Sequence, residues 1–348
     1  MIAQTEQGRI AALVQAAHHI VIIQADNPDA DSLGSALALE HILGDQGKHV
    51  SLYCGVDMPG YLRYLAGWDR VGSELPRQFD LSIIVDASTL TLLEKLQASG
   101  ELAWLAAKPC IILDHHATVD RQPDFAKVLI NDDSVSSSGE LIYQLAQALA
   151  WPVSGEAAAH VMTAILGDTQ GLSNDLTRPS TYRVMAELAE RGVNRPQLEE
   201  QRREFSKLPR QIYTYKAQLI ERTEFAADGR IAHVTIPQQE INDYSPLYNP
   251  APLVQGDMLS VAGVGLAIVF KQYDDGHVTA AIRANTGWPV ADELAEKLGG
   301  GGHPYASGFK TTGRPLNEVR SECLMFATEL LNNIGKDTSD ETLQHANA

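Results

Sequence analysis

Short unbroken apolar runs alternate with longer stretches of helical spacing through the first half of the chain. "HIVIIQ" (19–24) is short and β-branched, as for a strand buried on both faces. In residues 32–46, "SLGSALALEHILGDQ", the positions Leu33, Leu37, Ile42 and Leu43 fall near helical spacing, and Gly47 supplies a stop. "KHVSLYC" (48–54), "LSIIVDAS" (81–88) and "KPCIILDHH" (108–116) are again strand-like, with helical candidates between them. Two of these strands end in polar residues: Asp86 after "SIIV", and Asp114-His115-His116 after "CIIL". This alternation predicts an α/β fold with an open, mainly parallel sheet and right-handed crossovers. In such sheets ligands bind outside the carboxyl ends of the strands, where these polar residues sit.

Residues 136–149 and 155–167 read as helices, the first opened by capping serines and the second ending at "GDTQGL", which puts Asp168 at a helix end. A charged helical stretch over about 179–222 reads as a solvated connection. From about residue 230 the pattern changes to strands, with a hairpin signal at Asp274-Asp275-Gly276, and a closing amphipathic helix follows. The expected organisation is a metal-binding domain over 1–190, a helical linker over 191–224, a smaller α+β domain over 225–335 and a disordered polar tail over 336–348, with the active site in the cleft between the domains.

Composition narrows the function. With 27 Lys and Arg against 44 Asp and Glu, the formal charge is −17, and there is no long basic run. That disfavours duplex or long-polymer nucleic acid, which needs a basic face. A small anionic substrate held through metal ions is still allowed. No apolar run reaches the roughly 20 residues of a membrane span. The N-terminus lacks the pattern of a secretory signal, and three scattered cysteines suit a reducing compartment, so the expected location is cytoplasmic.

The chemistry is carried by Asp29, Asp31, Asp86, His115 and Asp168 taken together. Each alone has an ordinary reading: "NPDADS" is turn vocabulary, and an aspartate after a strand is often a helix cap. Converging on one crevice, they form an oxygen-rich set with histidine, suited to Mn²⁺ or Mg²⁺. Two such ions roughly 4 Å apart would serve metal-assisted hydrolysis of a phosphate ester or anhydride.

In order and spacing, "NPDADSLGS", "VDAS", "DHH" and "GDTQGL" resemble the four motifs of the DHH phosphoesterases, and "GGGGHPYASGF" resembles the glycine-rich motif of the DHHA1 domain. The resemblance spans roughly residues 15–335 and is strongest to the nanoRNase branch, which implies hydrolysis of very short RNA, linear dinucleotides such as pGpG, or related nucleotide monoesters. It implies that Asp29 binds the first metal, Asp31 the second, Asp86 both, and that His115 and Asp168 complete the second site. Asp114 would orient a histidine and His116 would contact phosphate. Arg283, with Gly300, Gly301, Gly302 and His303, would hold the nucleotide. The glycine run also reads as a plain helix terminator, and a homodimer is compatible with the resemblance.

One position departs from the pattern. The family's first motif begins with a metal-binding histidine three residues before the proline, and here that position is Ala25. Three readings stand open: Asp26 substitutes through a shifted loop, the first site binds metal through water, or activity is weakened. The leading expectation is an active two-metal phosphodiesterase. The alternatives are a 3′-phosphoadenosine phosphate-type phosphatase and a nucleotide-binding sensor that has lost turnover.

Overall fold

The computed structural model describes residues 2–116, 121–245 and 248–345, and the chain divides into two units, Met1–Lys207 and Leu208–Ala348.

The first unit runs α1 (Gln4–Ala16), β1 (His19–Ile23), α2 (Ala30–Gly44), β2 (His49–Tyr53), β3 (Val71–Gly72), β4 (Leu81–Val85), α3 (Glu94–Ala98), α4 (Glu101–Ala106), β5 (Cys110–Asp114), β6 (Val128–Asn131), α5 (Ser138–Ala148), α6 (Gly155–Asp168), α7 (Pro179–Glu190) and α8 (Arg195–Phe205). Its sheet is wholly parallel in the order β3-β2-β1-β4-β5-β6. The uniform apolar run of β1 is explained by helices on both faces. Ile20 and Ile22 pack with Leu33 and Leu37 of α2, while Val21 and Ile23 pack with Ile84 and Leu105 in a separate core. The strand order reverses between β1 and β4, so the crevice of an open parallel sheet lies at their carboxyl ends.

The second unit runs α9 (Arg210–Glu221), β7 (Glu224–Ala226), β8 (Ile231–Pro237), α10 (Gln238–Tyr244), α11 (Pro250–Leu259), β9 (Leu266–Gln272), β10 (His277–Ala284), α12 (Ala291–Lys297), β11 (Gly301–His303), β12 (Ala306–Thr312) and α13 (Leu316–His345). Its sheet has the order β11-β12-β10-β9-β8-β7, with β8 and β9 parallel and the other pairs antiparallel. The β9–β10 hairpin turns through Asp274-Asp275-Gly276, with Gly276 at φ 83°.

Two segments differ from the sequence expectation. The stretch read as a linker holds α8 in one unit and α9 in the other, with the division at Lys207 and Leu208. α9 buries Ile212, Tyr215 and Leu219 against Ala232 and Val234 of β8, an apolar stripe that charge on its other face had masked. α13 continues into the polar stretch expected as a tail, reaching His345. Residues 346–348 of that tail lie outside the described residues.

Candidate metal centre

Four peptide segments bring carboxylates to the crevice. After β1 the chain turns at Pro28, and Asp29 caps α2, its Oδ1 accepting the Ser32 amide at 2.9 Å. Asp31, in the first turn of α2, is fully buried. Its carboxylate accepts the Ser138 and Gly139 amides at 2.7 and 3.0 Å and the Ser35 hydroxyl at 3.0 Å. The amino end of α5 therefore points its free amides at the Asp31 charge.

Asp86 follows β4 in the left-handed region at φ 58°, a conformation that an aspartate tolerates better than most side chains. That backbone turn sends its carboxylate into the crevice, where Oδ1 accepts the Ser138 hydroxyl at 3.0 Å.

Asp114 closes β5 and anchors the histidine pair. It accepts the Ser88 amide at 2.8 Å, the Ser88 hydroxyl, the His115 amide at 2.8 Å and His116 Nδ1 at 2.7 Å. Burial raises its pKa, but the bonds from His116 and Ser88 outweigh that and pull it down to about 2. In return Asp114 raises the His116 pKa against the effect of burial. His116 stays half exposed, with Nδ1 committed to Asp114 and so with Nε2 directed elsewhere.

His115 is buried in the middle. Its Nε2 lies 2.9 Å from Asp168 Oδ2, 3.6 Å from Asp31 Oδ2 and 3.6 Å from Asp86 Oδ1, yet among the described residues makes no hydrogen bond of acceptable geometry. Burial lowers its pKa, and the surrounding Asp168, Asp31 and Asp114 more than reverse that. Asp168 is placed by the end of α6, with its carbonyl held by Asn174 Nδ2 at 2.7 Å.

The aspartates repel one another. Burial and then Asp31 raise the Asp29 pKa; burial and Asp168 raise that of Asp31; burial followed by Asp31, Asp29, Asp168 and Asp114 raises Asp86 well above the usual range. Such crowding fits a cation. Two overlapping sets, Asp86–His115–His116 and Asp31–His115–Asp168, each bring their ligand atoms within 4.8 Å of one another. A buried imidazole nitrogen without a hydrogen bond, ringed by carboxylate oxygens, is the donor chemistry of a divalent ion such as Mn²⁺.

Other predicted residues lie outside those sets. Asp26 Oδ2 accepts the Lys95 amide at 2.8 Å at the start of α3, so its carboxylate serves that helix. Ala25 is buried among Tyr53, Leu93 and Leu96. Gln24, which the sequence does not single out, is fully buried at the end of β1, and among the described residues neither its Oε1 nor its Nε2 has a hydrogen-bond partner. Ser138 and Gly139 also escaped sequence reasoning beyond their capping pattern, because the carboxylates they serve lie on α2 and after β4.

In the second unit, strand register puts Arg283, Ala306 and His303 in one row across β10, β12 and β11. Arg283 is exposed, and its guanidinium donates within the described residues only to the Ile282 carbonyl, at 3.1 Å. The His303 side chain lies outside the described part of the structure. The glycines divide in role. Gly299, at φ 80°, ends α12, while a Cβ on Gly300 would meet the Gly308 carbonyl oxygen at 2.2 Å and one on Gly302 the Ser307 Cα at 2.6 Å. Gly301 has open space around it.

Residues 19–166 match the model of the DHH family, N-terminal domain. The chain is 27% identical over 314 residues to a bifunctional oligoribonuclease and PAP phosphatase NrnA of Thermus thermophilus, covering 89% of each chain. It is 25% identical over 299 residues to the protein of that name from Bacillus subtilis, covering 83% of this chain and 88% of that one. Its structure is similar to an exopolyphosphatase-related protein from Bacteroides fragilis, with TM-score 0.82 and 21% identity over 95% of this chain and 99% of that one. Exonuclease RecJ bound to manganese shares the fold at TM-score 0.52 and 15% identity, covering 93% of each chain.

Proposed function

We propose that the chain, whose residues 19–166 match the N-terminal domain of the DHH family, is a divalent-metal phosphodiesterase that hydrolyses very short RNA and linear dinucleotides of the pGpG type to mononucleotides, in the cytoplasm. The observation that carries the reading is the convergence of Asp31, Asp86 and Asp168 on the unbonded Nε2 of buried His115. The relatives named for oligoribonuclease and PAP phosphatase activity, matched over most of the chain, support the substrate class.

Asp31, His115 and Asp168 would hold one ion, with Asp86 shared and Asp29 serving the other, as Mn²⁺ or Mg²⁺. Bound divalent ions supply charge neutralisation and an acidified water to phosphoryl transfer. The chain's own groups do the rest. The α5 amino end fixes the Asp31 carboxylate and Ser138 fixes that of Asp86, so neither ligand has to be ordered during the reaction. Asp114 raises the His116 pKa and so favours its imidazolium form, in which Nε2–H would donate to a phosphate oxygen and stabilise the charge that builds there. Arg283 and the glycine row beside β12 are assigned to the nucleotide.

A second activity, hydrolysis of a 3′-phosphoadenosine phosphate monoester, is favoured by the double name of the relatives. Rates on pGpG, pApA, a five-nucleotide RNA and that monoester, measured side by side, decide between them. Fastest turnover of the dinucleotides supports the proposal. Turnover of the monoester alone would replace it with a phosphatase, and binding of dinucleotide without hydrolysis in excess Mn²⁺ would make the chain a sensor.

A further inference from the structure

The first unit contains a cavity of about 670 Å³ that none of the metal-centre residues lines. One wall carries Arg195, Arg202 and Arg203 of α8, and another carries Tyr61 and Tyr64. The floor is Ala30 and Gly167, where α2 and α6 touch so closely that a Cβ on Gly167 would lie 2.7 Å from that of Ala30.

The wall is basic in a strongly acidic chain. Glu199, the single acidic residue lining the cavity among the described residues, is shared by two guanidiniums, with Arg202 bidentate at 2.9 Å and Arg203 Nε at 2.7 Å. The Arg195 guanidinium has no hydrogen bond or ion pair among the described residues. Three guanidiniums against one carboxylate leave unbalanced positive charge facing a concave space, the arrangement that captures phosphate. The Tyr61 ring is 59% exposed yet is not free to swing, because its hydroxyl donates to the Pro28 carbonyl at 3.0 Å. A fixed, exposed ring beside a cation wall is a platform for a flat heterocycle. The volume is that of a small-molecule site and is larger than an inorganic anion needs.

We propose that this cavity is a second ligand site that takes a phosphorylated nucleoside, with the phosphate on Arg195 and Arg202 and the base against Tyr61 and Tyr64. The site does not depend on the metal centre and stands whether or not the chain turns over RNA. Its floor residues adjoin metal-centre positions in sequence: Ala30 lies between Asp29 and Asp31, and Gly167 precedes Asp168.

The test is calorimetric titration of GMP, and separately of guanosine and inorganic phosphate, into full-length protein in chelator. Arg283→Gln, which removes the nucleotide contact assigned to the second unit, is the background in which the double variant Arg195→Gln/Arg202→Gln and the variant Tyr61→Leu probe the cavity. The expected result is saturable GMP binding that persists in Arg283→Gln. The double variant, which removes both guanidiniums assigned to the phosphate, should bind about tenfold more weakly or worse, a loss of about 1.4 kcal/mol or more. Tyr61→Leu should weaken GMP and guanosine but leave phosphate unaffected. No GMP binding, loss of binding in Arg283→Gln, binding unaffected by the double variant, or phosphate binding as tightly as GMP would each overturn the assignment.

Discussion

His115 Nε2 lies 3.6 Å from Asp86 Oδ1, although one residue follows β5 and the other follows β4. The approach is made by the backbone of Asp86. At φ 58° the residue leaves β4 in a left-handed turn, which swings its carboxylate across the crevice toward the histidine. A charged side chain in a strained conformation, 5% exposed among other carboxylates, serves ligand binding better than it serves stability.

Asp86→Asn should therefore lower kcat by several orders of magnitude with the fold preserved, since asparagine also tolerates the left-handed region. Asp86→Ala should lose activity equally and be less stable than Asp86→Asn by about 1 kcal/mol, from the unfavourable φ. Steady-state kinetics with urea unfolding of both variants checks the pair. Near-normal turnover of Asp86→Asn would remove the residue from the reaction.

Carboxylate repulsion gives a second expectation. Asp31 and Asp86 have raised pKa values because burial and neighbouring carboxylates disfavour their charged forms. Near neutral pH that repulsion destabilises the chain unless a cation offsets it. Thermal melts should show the wild type rising in Tm as Mn²⁺ is added. Asp86→Asn should melt higher than wild type in chelator and respond less to Mn²⁺. An equal Mn²⁺ response in both would mean that the ion binds elsewhere.

His160 controls part of the acid sensitivity. Burial, then the charges of His41 and Arg70, hold its pKa down at about 3, and its ring stacks on His41 at 5.5 Å. In the unfolded chain it titrates near 6.5, so between about 6.5 and 3 the unfolded state binds the extra proton and stability falls as pH falls. His160→Phe keeps a ring and removes the titration. It should flatten the urea-unfolding stability profile across that window, on the order of a few kcal/mol by its lower end. An unchanged slope would show that His160 is hydrated in the folded state.

The glycine run separates packing from binding. A Cβ at Gly300 runs into the backbone of β12, so Gly300→Ala should lower Tm strongly. Gly301→Ala has room and should leave Tm nearly unchanged. If Gly301→Ala nevertheless raises the KM for a dinucleotide with kcat intact, the glycine row contacts substrate.

How much of this was legible in the sequence depends on the kind of contact. Strands buried on both faces, the β9–β10 hairpin and the acidic strand ends are local patterns, and the parallel sheet followed from them. The donors to Asp31 were not legible, because Ser138 and Gly139 stand 107 and 108 residues away and their role depends on how α5 packs against α2. The same holds for α9, whose apolar stripe reads as part of a charged connection until β8 is seen beneath it. Asp26 is the opposite case: spacing left its role open, and the Lys95 amide that its Oδ2 accepts belongs to a separate helix that the spacing does not show. Gln24 carries no signal in sequence, since a glutamine at a strand end is ordinary until its amide is found buried without a partner.

The most direct test of the central claim is turnover of pGpG by the purified chain across a Mn²⁺ titration, beside Ala25→His. Metal-dependent hydrolysis by the native chain is expected, with Ala25→His changing mainly the Mn²⁺ concentration required. Hydrolysis by Ala25→His alone, with none by the native chain at any Mn²⁺ concentration, would contradict it.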